Sequence, residues 1–213
     1  MAGMNLNIDF FKIDKNMIVP RKGRVLISEP FLQDNYFKRS IVLLTEHSKE
    51  GSVGFVLNKP VTLPIDDIIQ DFPSIDVDIS IGGPVGTNTI HYIHTLGSKI
   101  PESVKVINGL YWGGSFETVK NMILSGDIKK HQIKFFLGYS GWYTKQLEGE
   151  LARNSWLVTD MSAHDIMHKD VNKLWADTLS RLDERYKIWI NTPQNPNLNK
   201  AVPVQTLDFT DRL

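Results

Sequence analysis

The sequence predicts an α+β fold, and three observations carry that prediction. Strand-like runs of β-branched and aromatic residues follow one another instead of alternating regularly with helices, which disfavours a doubly wound parallel sheet. From Ser162 onward the apolar spacing changes to that of helices. Apolar residues make up 41% and charged residues 23% of the 213 positions, the balance of a globular chain able to bury a sizeable core.

Residues 1–22 show no clear periodicity and include Pro20, so an N-terminal arm is expected there, with 23–213 as a single domain ending in a helical segment. RVLIS (24–28) and SIVLLTEH (40–47) are rich in strand-favouring apolar residues, with FLQDNYFKR as the turn between them. GSVGFVLNKP supplies another strand ending at Pro60, and the short SKEG gap before it (48–51) suits a hairpin. In LPIDDIIQDF the spacing of Ile65, Ile68, Ile69 and Phe72 predicts a short amphipathic helix with Asp67 and Asp71 outward. SIDVDISIGGP then alternates, placing Ile75, Val77, Ile79 and Ile81 on a core face and Asp76, Asp78 and Ser80 on a wet one.

TIHYIHT and VKVING read as further strands, and Ser115 is placed to cap a helix over FETVKNMIL that stops at Gly126. IKFFLG is the next strand. GYSGWY is expected as a strand-to-helix turn, followed by the helix KQLEGELARN with Leu147 and Leu151 inward, and WLVT is the last strand. Val171, Leu174, Trp175, Leu179 and Leu182 form a helical stripe with Asp170 as its cap, before an irregular tail from Thr192.

Composition excludes whole classes of chemistry. With no cysteine there is no thiolate nucleophile, disulfide or thiolate metal site. Twenty-four basic residues balance twenty-four acidic ones without blocks of one sign, which disfavours a duplex-binding face. No apolar run approaches the roughly 20 residues of a membrane span, and the first twenty residues lack a signal-peptide pattern, so a cytoplasmic address is expected.

Individual candidate sites are incomplete. Gly138, Ser140 and Gly141 approach the G-x-S-x-G nucleophile elbow, but Trp142 occupies the position of the final glycine. Glu148 and Glu150, two apart on a helix, point about 200° apart and cannot share a substrate, and Glu150 can instead pair with Arg153. His164 and His168 share a helical face and are weak metal-ligand candidates, since Asp165 replaces the glutamate of H-E-x-x-H and spacing offers no third ligand. His91 and His94, three apart on a strand, face opposite ways. No catalytic residue and no cofactor is assigned.

DNYFKRSIVLLTEHSKEGSVGFVLNKP, ISIGGPV, IHYIHT and LGYSGWYTKQLEGELARNSWL occur in this order within residues 23–199. Together they resemble the signature blocks of the YqgE/AlgH family of bacterial proteins, with Asp34, Phe37, Arg39, Glu46, His47, Asn58, Gly82, Gly83, Pro84, His94, Trp142, Gln146, Glu148, Glu150 and Trp156 at matching positions. The resemblance implies a branched, mostly antiparallel sheet forming a partly open barrel-like core flanked by helices. It implies no established activity, and a transcriptional-regulator role by family name alone. The family pattern has Ala where this chain has Ser140, and His164 and His168 lie outside its blocks.

The polar block residues Arg39, Glu46, His47, Asn58, His94, Gln146 and Glu148 are therefore expected to line one ligand or partner surface. The leading expectation is a cytoplasmic, non-catalytic binding or regulatory protein with a protein or small-molecule partner. Self-association is compatible with the aromatic content, whereas nucleic acid and membrane are not expected as partners. The alternative is a hydrolase using a histidine and a carboxylate from the blocks.

Overall fold

The computed structural model describes residues 18–193. The expected arm up to Met17 and the tail beyond Pro193 lie outside the described residues. The strands are β1 (Arg24–Ser28), β2 (Ile41–His47), β3 (Gly51–Val56), β4 (Asp78–Ile81), β5 (Val85–His94), β6 (Val104–Ile107), β7 (Leu110–Trp112), β8 (Ile133–Tyr143) and β9 (Trp156–Asp160). The α-helices are α1 (Ile65–Ile68), α2 (Phe116–Leu124), α3 (Gln146–Ala152), α4 (Ala163–His168), α5 (Leu174–Ser180) and α6 (Lys187–Asn191).

The nine strands form one sheet in the order β6-β7-β5-β8-β3-β2-β1-β9, with β4 branching from β8. All pairings are antiparallel except β4 with β8, and the ends of the path do not meet, so the sheet is not closed into a barrel. The fold is α+β, and its branch lies on β8. β5 pairs with one edge of this long strand, while β4 pairs with Lys134–Leu137 and β3 with Ser140–Tyr143. Gly82 sits in the fork: a Cβ there would fall 2.3 Å from the Gly138 carbonyl oxygen, so only glycine permits this approach.

At β1 and β2 both faces of the sheet are buried, which explains why RVLI and IVLL are continuous apolar runs rather than alternating ones. Val25, Ile27, Ile41, Leu43, Phe55 and Phe136 pack toward Leu174, Trp175, Leu179 and Trp189 of the C-terminal helices. Their neighbours Leu26, Val42, Leu44 and Val56 face the other way, onto Trp142, Leu147 and Trp156. A third cluster joins Tyr92, Ile133 and Phe135 to α2 through Val119 and Ile123.

Several expectations are met in detail. Ser115 Oγ accepts the Thr118 N–H at the start of α2, and Gly126 follows its end with φ +77°. Ser48 N–H donates to Gly51 O across the expected hairpin. Others need correction. GYSGWY is not a turn: β8 continues through it to Tyr143, because Gly138 with φ +65° bends the strand and β3 supplies a new partner beyond it. The alternation in SIDVDISI covers a strand only from Asp78, where Ser80 is buried, donating to Leu57 O, and Ile81 is exposed. Asp170 does not cap α5; its carboxylate accepts the Asn172 N–H in the preceding turn.

Candidate functional site

The turn between β1 and β2 is built around Asp34. Its Oδ1 accepts the N–H groups of Tyr36 at 2.8 Å and Phe37 at 3.3 Å, the local turn that a short carboxylate side chain favours. Phe37 packs against Trp142 and Trp156, at ring separations of 6.0 and 5.4 Å. Arg39, two residues on, adopts φ +50°, a left-handed conformation that costs a non-glycine residue about 1–2 kcal/mol. Asn58 holds it there: Nδ2 donates to Arg39 O at 2.9 Å, while Oδ1 accepts the buried Ile41 N–H at 2.8 Å.

This arrangement opens a cavity of about 310 Å³. Asn35, Lys38 and Arg39 of the turn line it, together with Asn58 and Lys59 beyond β3, Asn172, Trp175 and Ala176 around α5, and Ile190 of α6. Three cations face it, and among the described residues no carboxylate lines it. The Arg39 guanidinium lies 5.0 Å over the Trp175 ring, a cation–π contact that fixes its plane. One terminal nitrogen donates to both oxygens of Thr192, at 3.1 Å to Oγ1. Among the described residues its Nε is buried without an acceptor.

Lys59 Nζ donates to Lys38 O at 2.7 Å. Burial pushes the Lys59 ammonium below its ordinary pKa, with the Lys38 charge adding to the shift and Asp34 opposing it. Burial also lowers the Arg39 pKa. Burial penalises the charged forms of Arg39 and Lys59, and an entering anion would relieve that penalty.

A second cavity, of about 400 Å³, lies where α3 meets the end of β8. Leu32, Phe37, Pro84, Trp142 and Trp156 form its apolar wall, with Asp34, Gln146, Glu150, Arg153 and Ser155 as polar members. Glu150 Oε2 accepts both indole N–H groups, from Trp142 at 2.9 Å and Trp156 at 2.7 Å, and Oε1 accepts Gln146 Nε2 at 3.0 Å. Glu150 forms no ion pair with Arg153 among the described residues, contrary to the expected helical pair.

The polar block residues do not share one surface. Arg39 and Asn58 meet in the first cavity and Gln146 lines the second, while Glu148 is exposed on α3 and lines neither. Glu46 and His47 end β2 at the hairpin, with His47 Nδ1 2.8 Å from Ser52 Oγ. His94 has no exposed surface; its Nε2 lies 3.1 Å from Gly113 O, and its Nδ1 accepts the Leu96 N–H at 3.2 Å. That pattern fixes a neutral ring with Nε2 as donor, and burial accordingly lowers the His94 pKa.

His164 and His168 do share a face, but they stack ring on ring with centroids 4.5 Å apart, and His131 lies 4.8 Å beyond His168. Among the described residues no group of three or more potential ligands is arranged to hold a metal ion. Ser140 is wholly buried in β8, and its hydroxyl donates to Gly82 O at 2.9 Å, closing the sheet fork.

Sequence reading missed Lys38, Lys59, Asn35, Asn172 and Glu150 as cavity residues. Lys38 and Lys59 are the immediate neighbours of Arg39 and Asn58, and Glu150 is one helical turn from Gln146, so adjacency to the block residues was the available signal. Among the described residues no helix is long and apolar enough to cross a membrane.

Residues 25–187 match the family model described as AlgH-like. A UPF0301 protein of Bacteroides fragilis is 45% identical over 197 residues, covering 92% of this chain and 100% of that protein. One from Bacteroides thetaiotaomicron is 42% identical over the same length and coverage. The solution structure of the AlgH protein from Pseudomonas aeruginosa superposes with a TM-score of 0.65 at 25% identity, over 81% of this chain and 94% of that one. A crystal structure of a Corynebacterium diphtheriae protein gives 0.66 at 20% identity, over 81% and 92%, a likeness of fold alone.

Proposed function

The chain belongs to the AlgH-like family, and from that premise we propose that it is a cytoplasmic, non-catalytic binding protein that takes a small phosphate-bearing ligand in the Arg39 cavity. The observation that carries this is the Arg39 guanidinium: held in a strained backbone conformation and stacked on Trp175, it has its Nε buried without an acceptor among the described residues, in a cavity whose described lining includes three cations and no carboxylate. Planar, forked donors suit phosphate oxygens, and the carboxamides of Asn35 and Asn172 add neutral donors at the rim. Regulation would follow from ligand occupancy, since a chain with no net charge offers duplex DNA little field.

Hydrolysis is the second reading, and it needs a histidine and a carboxylate paired at a cavity. Among the described residues neither histidine is paired with a carboxylate: His94 spends both nitrogens on the backbone and His47 meets the Ser52 hydroxyl, so the required pair is missing and the geometry supports binding over hydrolysis. The test is isothermal titration with inorganic phosphate and glycerol phosphate against the parent, Arg39→Gln and Lys59→Gln. Saturable binding that weakens about tenfold or more in both variants is expected, the loss of one charge-assisted contact. No heat at millimolar ligand, or affinity unchanged in both variants, would overturn the proposal.

A further inference from the structure

The second cavity carries opposite charges that do not neutralise each other. Glu150 and Arg153 are three apart on one helical stretch, a spacing at which acid and base ordinarily pair. Here the indoles of Trp142 and Trp156 and the amide of Gln146 take the Glu150 carboxylate instead, and turn it toward the sheet. Among the described residues Arg153 makes no ion pair or side-chain hydrogen bond, although both residues line the same cavity. A fixed carboxylate and a free guanidinium thus face one space walled by Leu32, Phe37 and Pro84.

We propose that this cavity binds a zwitterion, a free α-amino acid with an apolar or aromatic side chain. A carboxylate has about four acceptor positions, and three N–H donors occupy Glu150, so one position on Oε1 is left for a ligand ammonium. Arg153 takes the ligand carboxylate in a forked pair, and the ligand side chain rests on the apolar wall. A volume of about 400 Å³ is within the range of small-molecule sites. Asp34, whose Oδ1 is already engaged by backbone N–H groups, lines the same space and favours the ammonium further. This inference rests on residues other than the Arg39 cavity and stands independently of the phosphate proposal.

The test follows the indole N–H resonances of the five tryptophans by proton–nitrogen NMR while L-leucine or L-phenylalanine is added. The Trp142 and Trp156 signals, bonded to Glu150, are expected to shift saturably while Trp175, in the other cavity, stays still. The N-acetyl derivative, which lacks the ammonium, and the methyl ester, which lacks the carboxylate, are each expected to bind about tenfold more weakly or worse. Arg153→Gln, a change at an exposed position, should make the free acid and the ester bind alike. No shift at millimolar amino acid would overturn the assignment, as would N-acetyl and free amino acids binding equally. Either result leaves the calorimetric phosphate titration of the Arg39 cavity unaffected.

Discussion

Replacing Asn58 with alanine should both destabilise the protein and disarm its first cavity. Two hydrogen bonds are lost, from Ile41 N–H to Oδ1 at 2.8 Å and from Nδ2 to Arg39 O at 2.9 Å. Ile41 is fully buried, so its N–H is left without an acceptor, at about 1–3 kcal/mol, and the second bond adds about 1 kcal/mol. The sum, about 2–4 kcal/mol, lowers the melting temperature of a chain this size by about 5–15 °C. Freed of Asn58, Arg39 can also leave its left-handed conformation, which misplaces the guanidinium and sheds about 1–2 kcal/mol of strain, so that with this relaxation the net loss falls to about 0–3 kcal/mol and the melting temperature drops correspondingly less. Urea unfolding and phosphate titration on Asn58→Ala and Asn58→Asp measure both effects; the aspartate keeps an acceptor for Ile41 but presents no donor to Arg39. Stability within about 0.5 kcal/mol of the parent together with unchanged phosphate affinity would refute the positioning role of Asn58.

Glu150→Ala strands two buried indole N–H groups and is expected to cost about 3–5 kcal/mol in urea unfolding, with Glu150→Gln losing less. Gly82→Ala drives a methyl group to 2.3 Å from backbone oxygen at the sheet fork, so about 3 kcal/mol or more of stability, or soluble expression itself, should be lost. Ser140→Ala removes one hydroxyl donor from an oxygen that also accepts the Val56 N–H, so a loss of about 1 kcal/mol is expected, with phosphate affinity unchanged. The pH profile follows from His94 and His91, whose pKa values burial lowers from 6.5. Below that value the unfolded chain takes up protons that the folded rings refuse, so their contribution is intact above pH 6.5 and lost as pH falls toward the folded values. Unfolding free energies measured from pH 7 to 5 should therefore decline, less steeply in His94→Asn.

Much of the fold was legible because local pattern and tertiary burial agree along β1, β2, β3 and α2. It failed at GYSGWY, where glycines read as a turn. Gly138 instead bends a strand whose continuation depends on pairing with Gly51–Gly54, far away in sequence. Spacing also suggested an ion pair for Glu150, but its direction is set by indoles from β8 and β9, a contact that local sequence cannot show. Arg39 and Asn58 were legible as a pair of polar block residues, and the structure joins them through a backbone carbonyl. Their company in the cavity was not: Asn172 and Trp175 arrive from a helical region more than a hundred residues later. The scatter of Glu46, His47, His94 and Glu148 has a similar origin, since strand ends and helix faces point wherever the branched sheet sends them.

The most direct test of the phosphate cavity is the Arg39 Nε–H resonance, assigned by comparison with Arg39→Lys and followed as phosphate is added. An orphaned N–H beside an incoming anion should report the binding event itself. The account predicts a saturable downfield movement of this signal, with the Trp175 indole shifting at the same phosphate concentration. A resonance that stays fixed while phosphate binds elsewhere, or while no binding occurs at all, would contradict the assignment of the Arg39 cavity as the functional site.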